Sequence, residues 1–271
     1  MPVTIFEEVK RINSMLDVDL TEYGLSSGSD WNHKNLKSPY TRLYIVLEGD
    51  AVVQLDKETI YLKKGNAYVI PSNMNYSCYT PKYIKKIYVH FRCKQWGGTN
   101  LFDEVHDVLS RTIEVERYEP LIRMLESENV KDYWLVKGSM LQLIYQFVGS
   151  LDPNLIGYVN DNRSPELISL YQMLKSGISA KTRTSDLAVQ MKMSQSRLSK
   201  LYKTATGMTL KNYIQRQLME QAQMLLISSN KSIKEIASNL KYQDALYFTR
   251  VFHQWVGEAP TSYRERNQMG K

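Results

Sequence analysis

The chain has 271 residues, 43% of them apolar, and a formal charge of +7, a length that suits about two domains. The charge is lopsided: from Glu166 onward 16 Lys and Arg stand against 7 Asp and Glu, a net of +9, while the part before it holds the remaining 19 and 21. No apolar run reaches the roughly 18 residues of a membrane-spanning helix, and a cationic half points to a polyanionic partner, nucleic acid or an anionic membrane surface.

The opening "MPVTIFEEVKRINSM" mixes acids and bases without an apolar signal core, so a cytoplasmic protein is expected. The two cysteines, Cys78 and Cys93, fit neither a metal spacing nor a disulfide framework and are expected to be reduced packing residues. "RLYIVLEGDAVVQLDKETIYLKKGNAYVIP" offers short β-branched and aromatic runs with turn signals at Gly49-Asp50, Asp56-Lys57 and Gly65-Asn66. "IKKIYVHFR" (84–92) alternates Ile87, Val89 and Phe91 with Tyr88, His90 and Arg92, another strand. Short antiparallel strands at this spacing predict a sandwich or barrel.

From Glu119 the period becomes helical. "DYWLVKGSMLQLIYQFVGSL" is apolar nearly all round, with Val136, Met140, Leu143 and Phe147 among its apolar positions, so burial on more than one face is expected. A core helix explains that, and a homodimer interface explains it equally well. "DPNLIGYVNDNRSP" has the composition of a linker. The expected organisation is a first domain over 1–152, a linker over 153–164 and an all-helical domain over 165–271.

The helical part repeats itself. Leu187 and Ala188 match Ile236 and Ala237 at an offset of 49. One residue is then added, and at an offset of 50 Ser194 matches Asp244, Leu198 Phe248, Lys200 Arg250, Tyr202 Phe252, Gly207 Gly257 and Tyr213 Tyr263. This is an internal duplication. Each copy reads as helix-turn-helix, about 184–207 and about 232–257. Ser232 and Glu235 form a capping box, Thr184 is the expected cap of the first copy, and Ser194 and Asp244 cap the second helices. Gly207 and Gly257 stand where a left-handed residue closes a helix.

In the second helix of the first copy, Leu198, Leu201, Tyr202 and Ala205 make an apolar stripe, while Ser196, Ser199, Lys200 and Lys203 share another face. In the second copy Phe248, Val251, Phe252 and Trp255 make the stripe, and Leu246, Thr249, Arg250 and His253 the outer face. Duplicated, capped and cationic, these faces are the expected DNA-reading positions in double-stranded DNA. The intervening run "TLKNYIQRQLMEQAQMLLIS" spans roughly 27–30 Å as a helix, suited to two groove segments about 34 Å apart.

"SIKEIASNLKYQDALYFTRVFHQWVGEAPTSYR" closely resembles the signature of the AraC/XylS family of bacterial transcription regulators, through Ile233, Glu235, Ile236, Ala237, Tyr247-Phe248, Arg250, Phe252, Gly257, Pro260, Tyr263 and Arg264. Lys241 stands where that family usually has a turn glycine, Leu218 replaces an arginine, and Leu210 replaces a proline. "GNAYVIPSNMNY" resembles the second cupin motif, with Gly65 and Pro71 in place, Asn73 for a glycine and Tyr76 for a histidine. The resemblance implies an α+β chain: a cupin-like antiparallel barrel with following helices, then two helix-turn-helix units on a linker helix. It also implies a homodimer and, for an activator, contact with RNA polymerase. With histidines only at 33, 90, 106 and 253, neither a metal site nor a catalytic site nor a cofactor is expected.

The barrel's expected occupant is a small polar effector such as a sugar, with Trp31, His33, Arg42, Tyr44, Tyr76, Tyr88, His90 and Arg92 as candidate contacts. Either alternation of a strand can face inward, and the residues alone leave that choice open. Two rival functions fit the same residues. One is a regulator whose barrel only dimerises; the other is a cupin oxygenase or isomerase fused to a DNA-binding tail, whose metal ligands are missing from the motif.

Overall fold

Period-two patterning organises the first half of the chain. The computed structural model describes residues 16–95, 99–127, 129–152, 155 and 164–268. The opening segment read for an export signal therefore lies outside them, as does the expected linker apart from Leu155 and Ser164. The chain divides into two compact units, broadly 1–157 and 158–269.

The first unit holds β1 (Leu16–Gly28), β2 (Asn32–Leu36), β3 (Thr41–Gln54), β4 (Thr59–Lys63), β5 (Asn66–Ile70), β6 (Tyr76–Tyr79), β7 (Ile84–Gln95) and β8 (Leu109–Thr112). Two helices follow, α1 (Glu119–Glu126) and α2 (Val130–Val148). All strand pairings are antiparallel. One sheet runs β1-β7-β3-β5-β8, while β3 also pairs β4 and β6, and β6 pairs β2.

Strand β3 thus belongs to both sheets. Its first half, Arg42 to Ile45, pairs β5 and β7; its second, from Asp50, pairs β4. A register shift between Val46 and Glu48 and a φ of +72° at Gly49 mark the bend. A Cβ at Gly49 would lie 2.0 Å from the Tyr83 carbonyl oxygen, so the chain needs glycine there. Gly49-Asp50 is therefore not the turn that its composition suggests, whereas the turns expected at Asp56-Lys57 and Gly65-Asn66 do separate strands.

The alternation sorts two cores. Leu43, Ile45, Ile87, Val89 and Phe91 pack with Val136, Met140, Leu143 and Phe147 of α2. Tyr44, Val46, Val53, Leu62, Tyr76 and Cys78 share the second core. Helix α2 is not buried all round: Val130, Trp134, Leu135 and Tyr145 stand exposed on its other side.

Among its described residues the second unit has helices as its only regular elements: α3 (Pro165–Lys175), α4 (Thr184–Gln190), α5 (Gln195–Thr206), α6 (Leu210–Ser228), α7 (Ile233–Asn239), α8 (Ala245–Val256) and α9 (Pro260–Gln268). Helix α6 buries Leu210, Tyr213, Ile214, Leu218, Ala222 and Leu226, so the two family departures at Leu210 and Leu218 serve as core. No helix among the described residues is long and apolar enough to cross a membrane.

Candidate nucleic-acid interface and barrel interior

Inside the first unit, β3 and β7 lay two rows side by side. Arg42 pairs in register with His90, Tyr44 with Tyr88 and Val46 with Lys86. From the other sheet come Tyr76, Cys78 and His33, the last two opposite one another. Trp31 meets Tyr44 with ring centroids 5.3 Å apart and His33 at 6.4 Å. Seven of the eight expected effector contacts therefore converge. Arg92, at the end of the β7 row, is paired with Asp19 at 2.7 Å.

Three residues of this interior were not among the expected contacts: Tyr40, Lys86 and Cys78. The period could have found two of them, because 40, 42, 44 and 86, 88, 90 are single alternations whose first members were passed over. Arg42 is 6% exposed; its Nη2 donates to the Tyr40 hydroxyl at 3.3 Å, and its guanidinium lies 4.9 Å from the Tyr40 ring and 5.6 Å from Tyr76. Lys86 is 3% exposed, its Nζ 3.9 Å above Trp31 and 5.4 Å from Tyr44.

Burial dominates the electrostatics here. It pushes Lys86 down to about 8, against the opposing pull of Cys78 and Asp30, and pushes the Cys78 thiol up to about 12. It also holds His90 down to about 4, despite a hydrogen bond to Glu22. The 3.3 Å separation of His90 Nδ1 and Glu22 falls in ion-pair range, but an imidazole this depressed is neutral at pH 7, so we read the contact as a hydrogen bond. The Tyr44 and Tyr76 hydroxyls are raised by burial. The Tyr76 hydroxyl neighbours that of Tyr44 without a well-formed hydrogen bond.

Among the described residues no group of three His, Cys, Asp or Glu side chains is placed to hold a metal. A separate cleft of about 760 Å³ is lined by Arg111, Glu114, Arg117, Tyr118, Leu135 and Gln146, among others. Its charged groups are already engaged, Arg117 with Glu114 at 2.7 Å and Arg111 with Gln146 at 2.6 Å.

In the second unit the duplication is repeated in backbone geometry. Lys192 N donates to Val189 O and Met193 N to Ala188 O; 49 residues later Lys241 N donates to Ser238 O and Tyr242 N to Ala237 O. Lys192 and Lys241 both adopt left-handed backbone, with φ of 53° and 61°. A non-glycine residue there costs about 1–2 kcal/mol, and the greater freedom of glycine in the unfolded chain offsets part of that. Lys241→Gly is expected to stabilise the unit by about 0.5–1 kcal/mol. A urea titration that shows a lower midpoint for the variant would contradict this.

The caps fall largely as expected. Ser194 accepts from Arg197 N at 3.2 Å and Asp244 from Tyr247 N at 2.7 Å. Ser232 and Glu235 form the reciprocal box, and Gly207 and Gly257 are left-handed at φ 73° and 88°. Thr184 is not a cap. Arg183 holds that position without a side-chain bond, and the Thr184 hydroxyl accepts from Gln195 Nε2 at 3.0 Å, tying α4 to α5.

Leu198, Tyr202, Phe248 and Phe252 are buried, whereas Leu201, Ala205 and Val251 are half-buried. Trp255 leaves the expected stripe; it is 44% exposed, because α8 ends just beyond it at Gly257. On the outer faces Ser196, Lys200, Lys203, Leu246, Arg250 and His253 are exposed, and Ser199 and Thr249 are half-buried. The Thr249 hydroxyl donates to Ala245 O at 2.8 Å.

Most of the signature residues are consumed by folding. Ile236, Ala237, Phe248, Phe252 and Tyr263 are core, and Glu235 completes a cap. Arg264 donates to the carbonyls of Leu226 and Lys231, fastening α9 to the end of α6. Tyr247 and Arg250 are different. Both are exposed, and Arg250 makes no hydrogen bond or ion pair among the described residues.

Two capped helix-turn-helix units on a shared strut define a DNA-binding domain. Residues 187–266 match the family model described as a helix-turn-helix domain, and they form an AraC-type DNA-binding domain. It is 20% identical to the Msm operon regulatory protein of Streptococcus mutans over 246 residues, covering 83% of this chain and 84% of that one. It is 23% identical to the lactose operon transcription activator of Staphylococcus xylosus, over 92% and 93% of the two chains. The HTH-type transcriptional activator RhaR of Mannheimia succiniciproducens is 32% identical, over only 37% of each chain. Among solved structures, apo ToxT from Vibrio cholerae aligns over 93% of this chain and 97% of its own, at 13% identity and a TM-score of 0.47.

Proposed function

We propose that the protein is an effector-responsive, sequence-specific DNA-binding regulator in which α5 and α8 read adjacent major-groove segments. The observation that carries this is the outer face of α8, where Leu246 and Arg250 stand exposed one turn apart while most of the signature residues are spent on the fold. A guanidinium takes guanine O6 and N7 together, and an apolar side chain such as Leu246 suits a thymine methyl. Ser196, Ser199 and Lys200 hold the equivalent places on α5. Lys203, one turn on, meets phosphate, as His253 does at the matching place on α8.

Helix α6, 19 residues long, supplies a strut of about 28 Å, so a single chain can present two reading helices. The barrel interior is the effector site, and a sugar or sugar-derived ligand is supported by its aromatic walls and by a lactose operon activator among the relatives. The exposed stripe on α2, where Trp134 is 70% exposed, supports a homodimer in the first unit. An activator of this kind also contacts RNA polymerase.

The test is binding of two variants to a duplex recovered by selection and to random duplex, at two salt concentrations. Arg250→Ala is expected to lose about 1–3 kcal/mol of preference for the selected duplex. Lys203→Ala lowers both affinities together and flattens the salt slope by about one unit. A folded Arg250→Ala that keeps its full preference shows that the reading face has been misplaced.

A further inference from the structure

Two cations lie inside the barrel with no carboxylate in ion-pair contact among the described residues. Arg42 and Lys86 are both buried. Removing a charge from water costs several kcal/mol unless an opposite charge compensates. Arg42 uses one N–H toward a neutral tyrosine hydroxyl out of the five that a guanidinium carries. The nearby carboxylates do not fill the gap: Glu22 is engaged with His90 and Tyr88, and Asp30 is solvent-exposed.

The two cations flank one row of interior side chains, Arg42 beside His90 at one end and Lys86 beside Val46 at the other. Although their strand positions are four residues apart in register, both bear electrostatically on the Cys78 thiol and on the His90 ring. Between them stand Tyr44 and Tyr88, with Trp31, Tyr40 and Tyr76 around them. Tyr76 adds a buried hydroxyl that lies beside that of Tyr44 and makes no well-formed hydrogen bond among the described residues.

We infer that the effector carries an anionic group, a carboxylate or a phosphate, which Arg42 and Lys86 receive together while a ring-sized body stacks among the tyrosines and Trp31. A planar guanidinium presents paired donors that match either oxyanion, and the aromatic walls suit a sugar or aryl ring. This rests on the reading that the barrel is the effector site, and it narrows that reading from polar ligands in general to acids and phosphate esters.

The experiment follows the thermal midpoint of the full-length protein at fixed ionic strength with galactose, galacturonate, galactose 6-phosphate, benzyl alcohol and benzoate. The same panel is run on Arg42→Met and Lys86→Met. A charged compound is expected to raise the wild-type midpoint by about 3 °C or more near saturation, while its neutral counterpart does not. The carboxylate and phosphate arms separate the two oxyanions. Both variants should lose that shift, and Lys86→Met without ligand should melt at or above wild type, because an unbalanced buried cation has gone.

If galactose or benzyl alcohol shifts the midpoint as much as its acid, the barrel remains an effector site but the anion assignment is overturned. An acid whose shift survives both substitutions binds elsewhere, which overturns the inference and the barrel site together. Absence of any shift, with Lys86→Met less stable than wild type, overturns the inference by making the cation structural.

Discussion

Phe252→Ala is expected to destabilise the C-terminal unit by about 3–5 kcal/mol, the usual cost of emptying an aromatic site in a packed core. The Phe252 side chain is fully buried, its ring centroid 5.8 Å from Phe248 and 5.6 Å from Tyr263. It therefore joins α8 to α9 and, through Phe248, supports the face opposite Arg250. A loss of this size is a large share of the 5–15 kcal/mol that stabilises a typical domain. DNA binding should fall with helicity rather than independently of it. Trp255→Ala, three residues on, should cost under about 1 kcal/mol because that ring is already largely in solvent. Urea unfolding followed by circular dichroism measures both; equal losses at the two positions would show that the stripe is packed differently.

The second large effect depends on pH. Folded His90 takes up its proton only near pH 4, whereas an unfolded histidine does so near 6.5. Between those values the unfolded chain binds the extra proton, so stability rises with pH across the window and is lost as pH falls through it. The full loss, reached below pH 4, is about 3 kcal/mol. The groups facing His90 are Tyr40, Tyr88, Glu22, Arg42 and Lys86. His90→Gln keeps a hydrogen-bonding side chain opposite Glu22 and removes the titration. Its stability should be nearly flat between pH 6.5 and 4 beside the sloping wild type. Parallel slopes would place the titrating group elsewhere.

What the sequence disclosed was governed by local physics. The caps at Ser194, Ser232 and Asp244 and the left-handed Gly207 and Gly257 follow from nearest-neighbour backbone needs. Features set by tertiary packing were harder to read. Thr184 has the chemistry of a cap but lies one residue inside its helix, with its hydroxyl committed to Gln195. Trp255 keeps the stripe's spacing but falls in the last turn, beyond the reach of α9. Gly49 looks like a hairpin turn, yet the carbonyl of Tyr83 pressing against it makes it a bend within one strand.

The barrel interior was legible in type but not in membership. Arg42, Tyr44, Tyr88 and His90 were found as polar and aromatic strand residues. Lys86 was missed because lysine on a strand is ordinarily solvated, although it shares the alternation of Tyr88 and His90. The strand β1 was passed over as well, although Leu16, Val18 and Leu20 alternate with acids along it.

The central claim is that one chain reads two groove segments through α5 and α8. Dimethyl sulfate footprinting of the protein on a duplex recovered by selection, which reads guanine N7 in the major groove, tests it most directly. The account predicts two protected major-groove segments per bound chain, about one helical turn apart, with Arg250→Ala exposing bases in one segment and leaving the other protected. A single protected segment per chain, or protection that stays unchanged in Arg250→Ala, would contradict it.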